Sequence, residues 1–290
     1  MKKFGIITNR DKDEGLAVTG RLQELLRAAG AECFLAPGRR RGDGSPYTPT
    51  EELPADTDGL IVLGGDGTLL QAAHDVASRG IPLLGINLGT LGFLAETELS
   101  GMQEAVRRLV AGQFEIEDHM MLSVRRPAGP EAAGESLPDA LNDLVITRSG
   151  FSRLIAVGVY INGELVNNYR GDGVIISTPT GSTGYNLSAG GPIVSPVSRL
   201  IVITPICPHS LNARSIVVSD EDVVSIRIRK SKKTQEEEAI ATVDGSYAVN
   251  LRAEDCVEVC RAANMTKLIR LGGSFYQVLR LKLDGGTAGG

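Results

Sequence analysis

The 290-residue chain has no tryptophan, an aromatic content of 4%, three histidines and four cysteines. Each scarcity closes off a class of chemistry. His74, His119 and His209 stand alone, with no H-E-x-x-H and no ligand pair at helical spacing, so no protein-held metal site is expected. Cys33, Cys207, Cys256 and Cys260 form no C-x-x-C, and in a chain of this length without a signal peptide they read as reduced thiols acting as small buried hydrophobes. No lysine follows a glycine, which removes the G-x-x-x-x-G-K-[ST] phosphate loop. No apolar run approaches the roughly 18 residues that span a bilayer, and Lys2-Lys3 is followed by only four apolar-leaning residues, Phe4 to Ile7. A cytoplasmic protein with no membrane partner is therefore expected. A basic excess is also missing: the net charge is −5, with −6 up to Asp118 and +1 beyond it, so nucleic acid is not an expected partner.

What is abundant is glycine, 35 residues, about 12% of the chain against a usual ~7%. Such an excess implies backbone that approaches something closely or turns with positive φ.

Two textures divide the chain. Up to about Asp118, short apolar runs alternate with helical patterns. Phe4 to Thr8 reads as a strand, and Val18, Leu22, Leu25, Leu26 and Ala29 recur at helical spacing before Gly30. Further strands are expected at Leu60–Leu63 and Leu83–Ile86, separated by a helix with Leu69, Ala72, Ala73 and Val76 on its apolar face. This is βαβ texture, hence a parallel sheet flanked by helices. Ser100 and Gln103 match a capping box that would start another helix, and Arg39 to Asp58 reads as a long exposed loop. After about His119 the period becomes two. Ile155, Val157, Val159 and Ile161 alternate with smaller or polar residues, and Asn162-Gly163 supplies a type I′ turn before Leu165. Val224, Ile226 and Ile228 alternate likewise, and Lys230 to Glu238 reads as a solvated loop between two strands. The expected architecture is an α/β N-terminal domain over residues 1–118 and a β-rich C-terminal domain over 119–269.

The chemistry concentrates in the glycine clusters. Gly64-Gly65-Asp66-Gly67-Thr68 lies between a strand and a helix, where open α/β sheets place ligands and helix amides meet anions. Glycines admit phosphate oxygens, yet Asp66 would repel them, so Asp66 must serve a proton, a metal or a hydroxyl. The alternative is a plain strand-to-helix turn with Asp66 or Thr68 as N-cap. Gly65-x-Gly67-x-x-Leu70 lacks the third small residue of the dinucleotide fingerprint, which takes the main support from a hydride-transfer reading. Asn87-x-Gly89-x-x-Gly92-Phe93 follows the next strand and would line the same sheet edge. Asn142-Asp143 interrupts an apolar run at a strand end, where an amide and a carboxylate can bond ribose hydroxyls or a base edge. Gly171-Asp172-Gly173, then Thr178 to Tyr185 and Ser188 to Pro192, gather hydroxyls, backbone donors and one aromatic able to stack on a ring. Arg39, Arg40 and Arg41, and separately Arg170, are candidate phosphate contacts, although a solvated loop is the simpler reading of the triple arginine.

These motifs in this order, with Asp244-Gly245 as a fifth, resemble those of the bacterial NAD kinases from Phe4 to about Leu283. The resemblance implies phosphoryl transfer from ATP or polyphosphate to the adenosine-ribose 2′-hydroxyl of NAD, with Mg²⁺ or another divalent cation accompanying the donor. It also implies a last stretch, about 270–284, that returns to the first domain, and a homo-oligomer, dimer or tetramer. By position, Asp66 resembles the family's catalytic aspartate, and Gly64, Gly65, Gly67 and Thr68 its phosphate loop. Gly67, Phe93, Asn142, Asp143, Arg170, Asp172, Thr183, Tyr185, Ser188, Cys207 and Asp244 fall around the NAD. The chain departs from the family pattern at Asp143, where glutamate is usual, at Gly184 for alanine, at Cys207, often alanine, and at Ser215, often proline. A lipid kinase shares the Gly-Gly-Asp-Gly-Thr loop but continues with an Asn-Glu-type pair, whereas Leu69-Leu70 follow here. A non-catalytic NAD sensor would not need Asp66.

Overall fold

The structure is a computed structural model that describes residues 1–40, 46–89, 92–128, 134–149, 154–210, 212–230 and 238–283. Arg41, Thr90, Leu91 and most of the charged stretch between Lys230 and Glu238 lie outside the described residues. The chain divides into two compact units, Met1–Asp118 with Thr266–Gly290, and His119–Met265. Among the described residues no helix is long and apolar enough to cross a membrane.

The first unit runs β1 (Lys3–Thr8), α1 (Ala17–Ala28), β2 (Glu32–Leu35), two short strands β3 (Arg39–Arg40) and β4 (Pro46–Tyr47), β5 (Gly59–Gly64), α2 (Asp66–Val76), β6 (Leu83–Asn87), β7 (Thr97–Glu98) and α3 (Met102–Val110). Strands β2, β1, β5 and β6 pair in that order and all in parallel. Every residue of β5 and β6 is buried, as expected of central parallel strands covered on both faces. Phe4, Ile6, Leu22, Leu26, Ile61, Leu63, Leu84 and Ile86 form one core with Leu109 of α3. The core is closed by Ile269 and Leu271 from the end of the chain, so the last stretch returns to this unit. There Glu96, whose side chain is 4% exposed, accepts the N–H groups of Leu271 (2.7 Å) and Gly273 (3.0 Å) and pairs with Arg270.

Two local expectations are corrected. Helix α3 begins at Met102 behind a 3₁₀ turn over Leu99–Gly101, with Gly101 at its N-cap and no side-chain cap bond, so Ser100 and Gln103 make no capping box. The tight turn, closed by the Met102 N–H on Leu99 O, carries Gly101 into the N-cap position, so Ser100 stands one residue before the place a capping side chain occupies. Residues Arg39 to Asp58 are not simply an exposed loop either. They carry β3, β4 and a 3₁₀ turn at Thr50–Glu52, with Thr48 and Leu53 buried and Arg39 paired to Glu52 at 2.5 Å.

The second unit continues from β8 (Glu115–Arg126) through β9 (Glu135–Ser136), β10 (Asp143–Arg148), β11 (Ile155–Ile161), β12 (Glu164–Gly171), β13 (Gly173–Ser177), the single-turn α4 (Tyr185–Ser188), β14 (Leu200–Ile206), β15 (Ile216–Ser219), β16 (Val224–Arg229), β17 (Glu238–Val243), β18 (Tyr247–Arg252) and β19 (Cys256–Arg270). One antiparallel sheet has the order β15-β14-β13-β10-β17-β18. A second pairs β12, β11, β16 and β19, with the β11–β12 hairpin turning at Asn162 (φ 52°) and Gly163 (φ 85°), the two positive φ values of a type I′ turn. Alternate residues of both sheets, among them Leu144, Ile146, Val157, Val159, Ile176, Ile203, Ile226 and Val257, fill one shared core. On the opposite face of the first sheet, Val145, Ile175 and Ile206 pack with Ala189, just beyond α4. The segment carrying Thr183 to Ser188 is thus seated on a buried sheet face.

The cysteines are free, but not buried. Cys33, Cys256 and Cys260 are half-buried, and Cys207 is exposed at a φ of 43° after the end of β14. A loop position past the last sheet bond removes it from the core.

Candidate active site

In the first unit the site grows from two adjacent strand ends. Strands β5 and β6 are in register from Leu60↔Leu83 to Gly64↔Asn87, so the segments after them leave the sheet side by side. After β5 the chain turns directly into α2. Gly65 is the N-cap, with no side-chain cap bond, and Asp66 is the first helical residue. Neither Asp66 nor Thr68 caps the helix, which removes the plain-turn reading of both. The Asp66 carboxylate instead reaches across to the second segment, accepting the N–H groups of Phe93 at 2.9 Å and Leu94 at 3.3 Å. Gly92 lies so close that a Cβ there would overlap the carboxylate. Two donors and a glycine wall therefore fix the direction of the one acid in the loop. Thr68 accepts a hydrogen bond at its Oγ1 from Asn9 Nδ2 (3.2 Å), tying the start of α2 to the segment after β1. Gly67 is exposed and Gly64 buried, while Asp66 and Thr68 are half-buried. Phe93 sits 6.0 Å from the Phe275 ring, with the Lys282 ammonium 5.5 Å from its centroid.

The second unit holds its own cluster. The Asp244 carboxylate, at the turn between β17 and β18, accepts the N–H groups of Leu141 (2.7 Å), Asn142 (2.8 Å) and Asp143 (2.8 Å). A residue a hundred positions away thus shapes the Asn142-Asp143 corner. Against this corner rests the Thr178–Thr183 segment: Thr178 donates its N–H to Asn142 O (2.9 Å) and its hydroxyl to Leu141 O (2.6 Å). Gly181 packs onto the Asn142 backbone with no room for a Cβ, and Gly184 lies near the Asn142 amide. The following helix is braced from inside by fully buried Asn186, which donates to Ser182 O (3.1 Å) and Pro192 O (3.0 Å) and accepts from Thr204 (2.7 Å). Tyr185 and Ser188 are left exposed, Tyr185 by 45%. Thr183 bonds Thr180 O at 3.3 Å.

Asp143 itself is 6% exposed, and burial, reinforced by the Asp244 charge, pushes its carboxyl up to about 7. Asp172 stands between β12 and β13, pairs with Arg148 at 2.9 Å, and donates its N–H to Ile206 O (3.0 Å) beside Cys207. Arg170 points outward from β12 and is exposed.

The structure thus brings Gly64–Thr68 together with Gly92–Leu94, and Asn142-Asp143 together with Asp244 and the Thr178–Gly184 segment. Reading the sequence alone missed the supports: Arg148 behind Asp172, Glu96 behind the returning chain, Asn186 behind Tyr185. None has a local signature, because each partner lies on a different element. Among the described residues no three of His, Cys, Asp and Glu gather where they would hold a metal.

Residues 4–114 match the ATP-NAD kinase N-terminal domain family and residues 141–271 the ATP-NAD kinase C-terminal domain family. The NAD kinase of Lachnoclostridium phytofermentans is 56% identical over 283 residues, covering 97% of this chain and 99% of the relative. That of Lachnospira eligens is 38% identical over 296 residues, 98% of this chain and all of its own length. Among solved structures, an Archaeoglobus fulgidus NAD kinase in complex with ATP superposes with a TM-score of 0.77 at 25% identity, covering 96% of this chain and 97% of the other. Yeast NADH kinase complexed with NADH shares the fold, at a TM-score of 0.80 and 24% identity, over 100% of this chain and 89% of its own. Because both units are matched in order and full-length relatives align from end to end, the chain belongs to the NAD kinase family.

Proposed function

We infer that this chain transfers the γ-phosphoryl group of ATP to the adenosine-ribose 2′-hydroxyl of NAD, giving NADP and ADP. The observation that carries this reading is the fixed Asp66 carboxylate, turned by the Phe93 and Leu94 amides at a glycine-lined strand-to-helix loop, in a chain of this family. The 2′-hydroxyl oxygen forms the new bond to phosphorus, the bond from phosphorus to the β-phosphate oxygen breaks, and ADP departs with that electron pair. Asp66 accepts the hydroxyl proton, which raises the nucleophilicity of the oxygen as the bond forms. Gly65, Gly67 and Thr68 offer backbone that phosphates can approach closely, while buried Gly64 leaves room for the Thr68 side chain behind them.

For NAD itself we assign Asn142 and Asp143 to the adenosine, with Asp244 holding their corner in shape. Tyr185, Thr183 and Ser188 supply an aromatic wall and hydroxyls, and Phe93 supplies an apolar surface. Asp172, Arg170 and Cys207 complete the set. Asp143 is one methylene shorter than the family's usual glutamate and is deeply buried, so a protonated Asp143 would donate a hydrogen bond to a ribose oxygen. Mg²⁺ usually takes one or two carboxylates and substrate phosphates. It therefore enters as part of the Mg·ATP substrate, offsetting phosphate charge. Polyphosphate is the alternative donor. The proposed setting is cytoplasmic, with neither nucleic acid nor membrane as partner, and the lipid-kinase and sensor alternatives gain no support from any observation above.

The test is a coupled NADP-formation assay on purified protein, with ATP or polyphosphate as donor, NAD or NADH as acceptor, and Asp66→Asn beside the wild type. The amide keeps shape but not basicity, so kcat should fall by about 10²–10⁴ with the protein folded and NAD binding nearly intact. Near-wild-type turnover of Asp66→Asn would remove the base from the mechanism.

A further inference from the structure

The phosphate loop of the first unit has an electrostatic deficit. It contains an acid, Asp66, and no cation, since no lysine or arginine lies between Leu63 and Gly67 or in the α2 helix that follows. Phosphoryl transfer is mainly positioning and charge neutralisation, so a donor polyanion at such a loop needs positive charge from elsewhere in the chain.

The structure supplies it from the turn after β1. Asn9 anchors that turn in five ways. Its N–H bonds Leu63 O (2.8 Å) at the end of β5, and its side-chain amide bonds Thr68 Oγ1 (3.2 Å) at the start of α2. Its Oδ1 accepts the N–H of Asp11 (3.1 Å), and its carbonyl accepts those of Lys12 (3.1 Å) and Asp13 (3.0 Å). Downstream, Asp13 is 3% exposed and takes the N–H groups of Val18 and Thr19 (both 2.9 Å) and the Thr19 hydroxyl (2.6 Å), pinning the turn to α1. Between these two anchors Lys12 is exposed, and its ammonium extends over the two glycine segments. Nζ lies 3.6 Å from where a Cβ on Gly65 would sit and 3.4 Å from the same point on Gly89. Among the described residues no carboxylate pairs with it, and Asp66 is committed to the Phe93 and Leu94 amides.

We propose that Lys12 is a direct contact for the phosphates of the donor, supplying from the β1 turn the positive charge that the loop itself lacks. The inference rests on the NAD kinase reading of this site. A lysine serves phosphate as a movable point charge with three donors, and a rigid turn beneath it removes much of the cost of placing that charge. The glycines at positions 65 and 89 keep the space around the ammonium open to phosphate oxygens. No bond is made or broken by Lys12, which balances charge on the oxygens while phosphorus changes partners.

Lys12→Met keeps the aliphatic stem and removes the charge, and Lys12→Arg keeps the charge. Two measurements separate this proposal from the reading beneath it: calorimetric binding of Mg²⁺ with a non-hydrolysable ATP analogue in the absence of NAD, and steady-state NADP formation. Lys12→Met should weaken analogue binding and lower kcat/KM for ATP on the order of 10- to 100-fold, the loss of one charge-assisted contact. The KM for NAD should stay within about twofold and the thermal midpoint within a few degrees, because the side chain is exposed. Lys12→Arg should recover most of the loss, which a purely structural role would not require. Equal analogue binding and equal ATP kinetics in wild type and Lys12→Met would overturn the role of Lys12. If the wild type binds the analogue but makes no NADP, the NAD kinase reading fails while the Lys12 comparison still stands on binding alone.

Discussion

The buried acid at the edge of β10 makes a stability prediction with a definite sign. Asp143 is 6% exposed, faces the charge of Asp244, and has its carboxyl raised to about 7. In the unfolded chain the same group titrates near ~3.9. Between those values the folded protein holds a proton that the unfolded chain has released. Its contribution is therefore fully present below about pH 4 and is lost as pH rises through about 7. Three pKa units at ~1.36 kcal/mol each cap the whole effect at about 4 kcal/mol, and the part falling between pH 5 and pH 8 is about 2.5 kcal/mol. Asp143→Asn cannot ionise and should be free of this loss. Urea unfolding followed by far-ultraviolet circular dichroism, for both proteins across pH 5 to 8, isolates the effect, because the other titrating groups cancel in the difference. The wild type should lose about 2.5 kcal/mol relative to the variant over that interval. Parallel stability profiles would mean that Asp143 is charged and solvated in the folded protein, and the account of its burial would be wrong.

Gly92→Ala would place a methyl group on the Asp66 carboxylate and force it off the Phe93 and Leu94 amides. We expect a kcat loss approaching that of Asp66→Asn, with little added loss in the double variant because both changes disable one group; additive losses would show that Gly92 acts elsewhere. A homo-oligomer is expected for the whole chain, so light scattering at micromolar concentration should return a multiple of the 30.7 kDa chain mass, and a monomer alone would refute it.

How much of this was legible beforehand depends on how far apart the partners lie. The parallel βαβ order of the first unit could be read because each element carries its own period: Leu69, Ala72, Ala73 and Val76 are indeed the apolar buried face of α2. The loop at Asp66 was visible because three glycines around an acid need a reason. What Asp66 bonds to was not, since Phe93 and Leu94 are 27 and 28 residues on and donate only backbone. The Asp244 support of Asn142 spans 102 residues and is likewise silent in the sequence. The capping box failed for the opposite reason. Ser100 and Gln103 have the right local spacing, but a 3₁₀ turn over Leu99–Gly101 put Gly101 at the N-cap, so that Ser100 falls before it and Gln103 lies inside the helix.

The division of the chain also orders its birth on the ribosome. Residues 119–265 form one uninterrupted unit, whereas the first unit needs Ile269 and Leu271 beside Phe4, Ile6 and Leu109. The amino-terminal half is therefore synthesised first and completed last: its apolar interior stays short of two members until the entire second unit has been translated. During that interval the unit bearing Asp66 is a nascent, partly open structure, while the inserted one already has every residue it requires. Assembly thus runs inside out relative to synthesis, and the sheet that carries the phosphate loop gains its last core residues only after the second unit has been made.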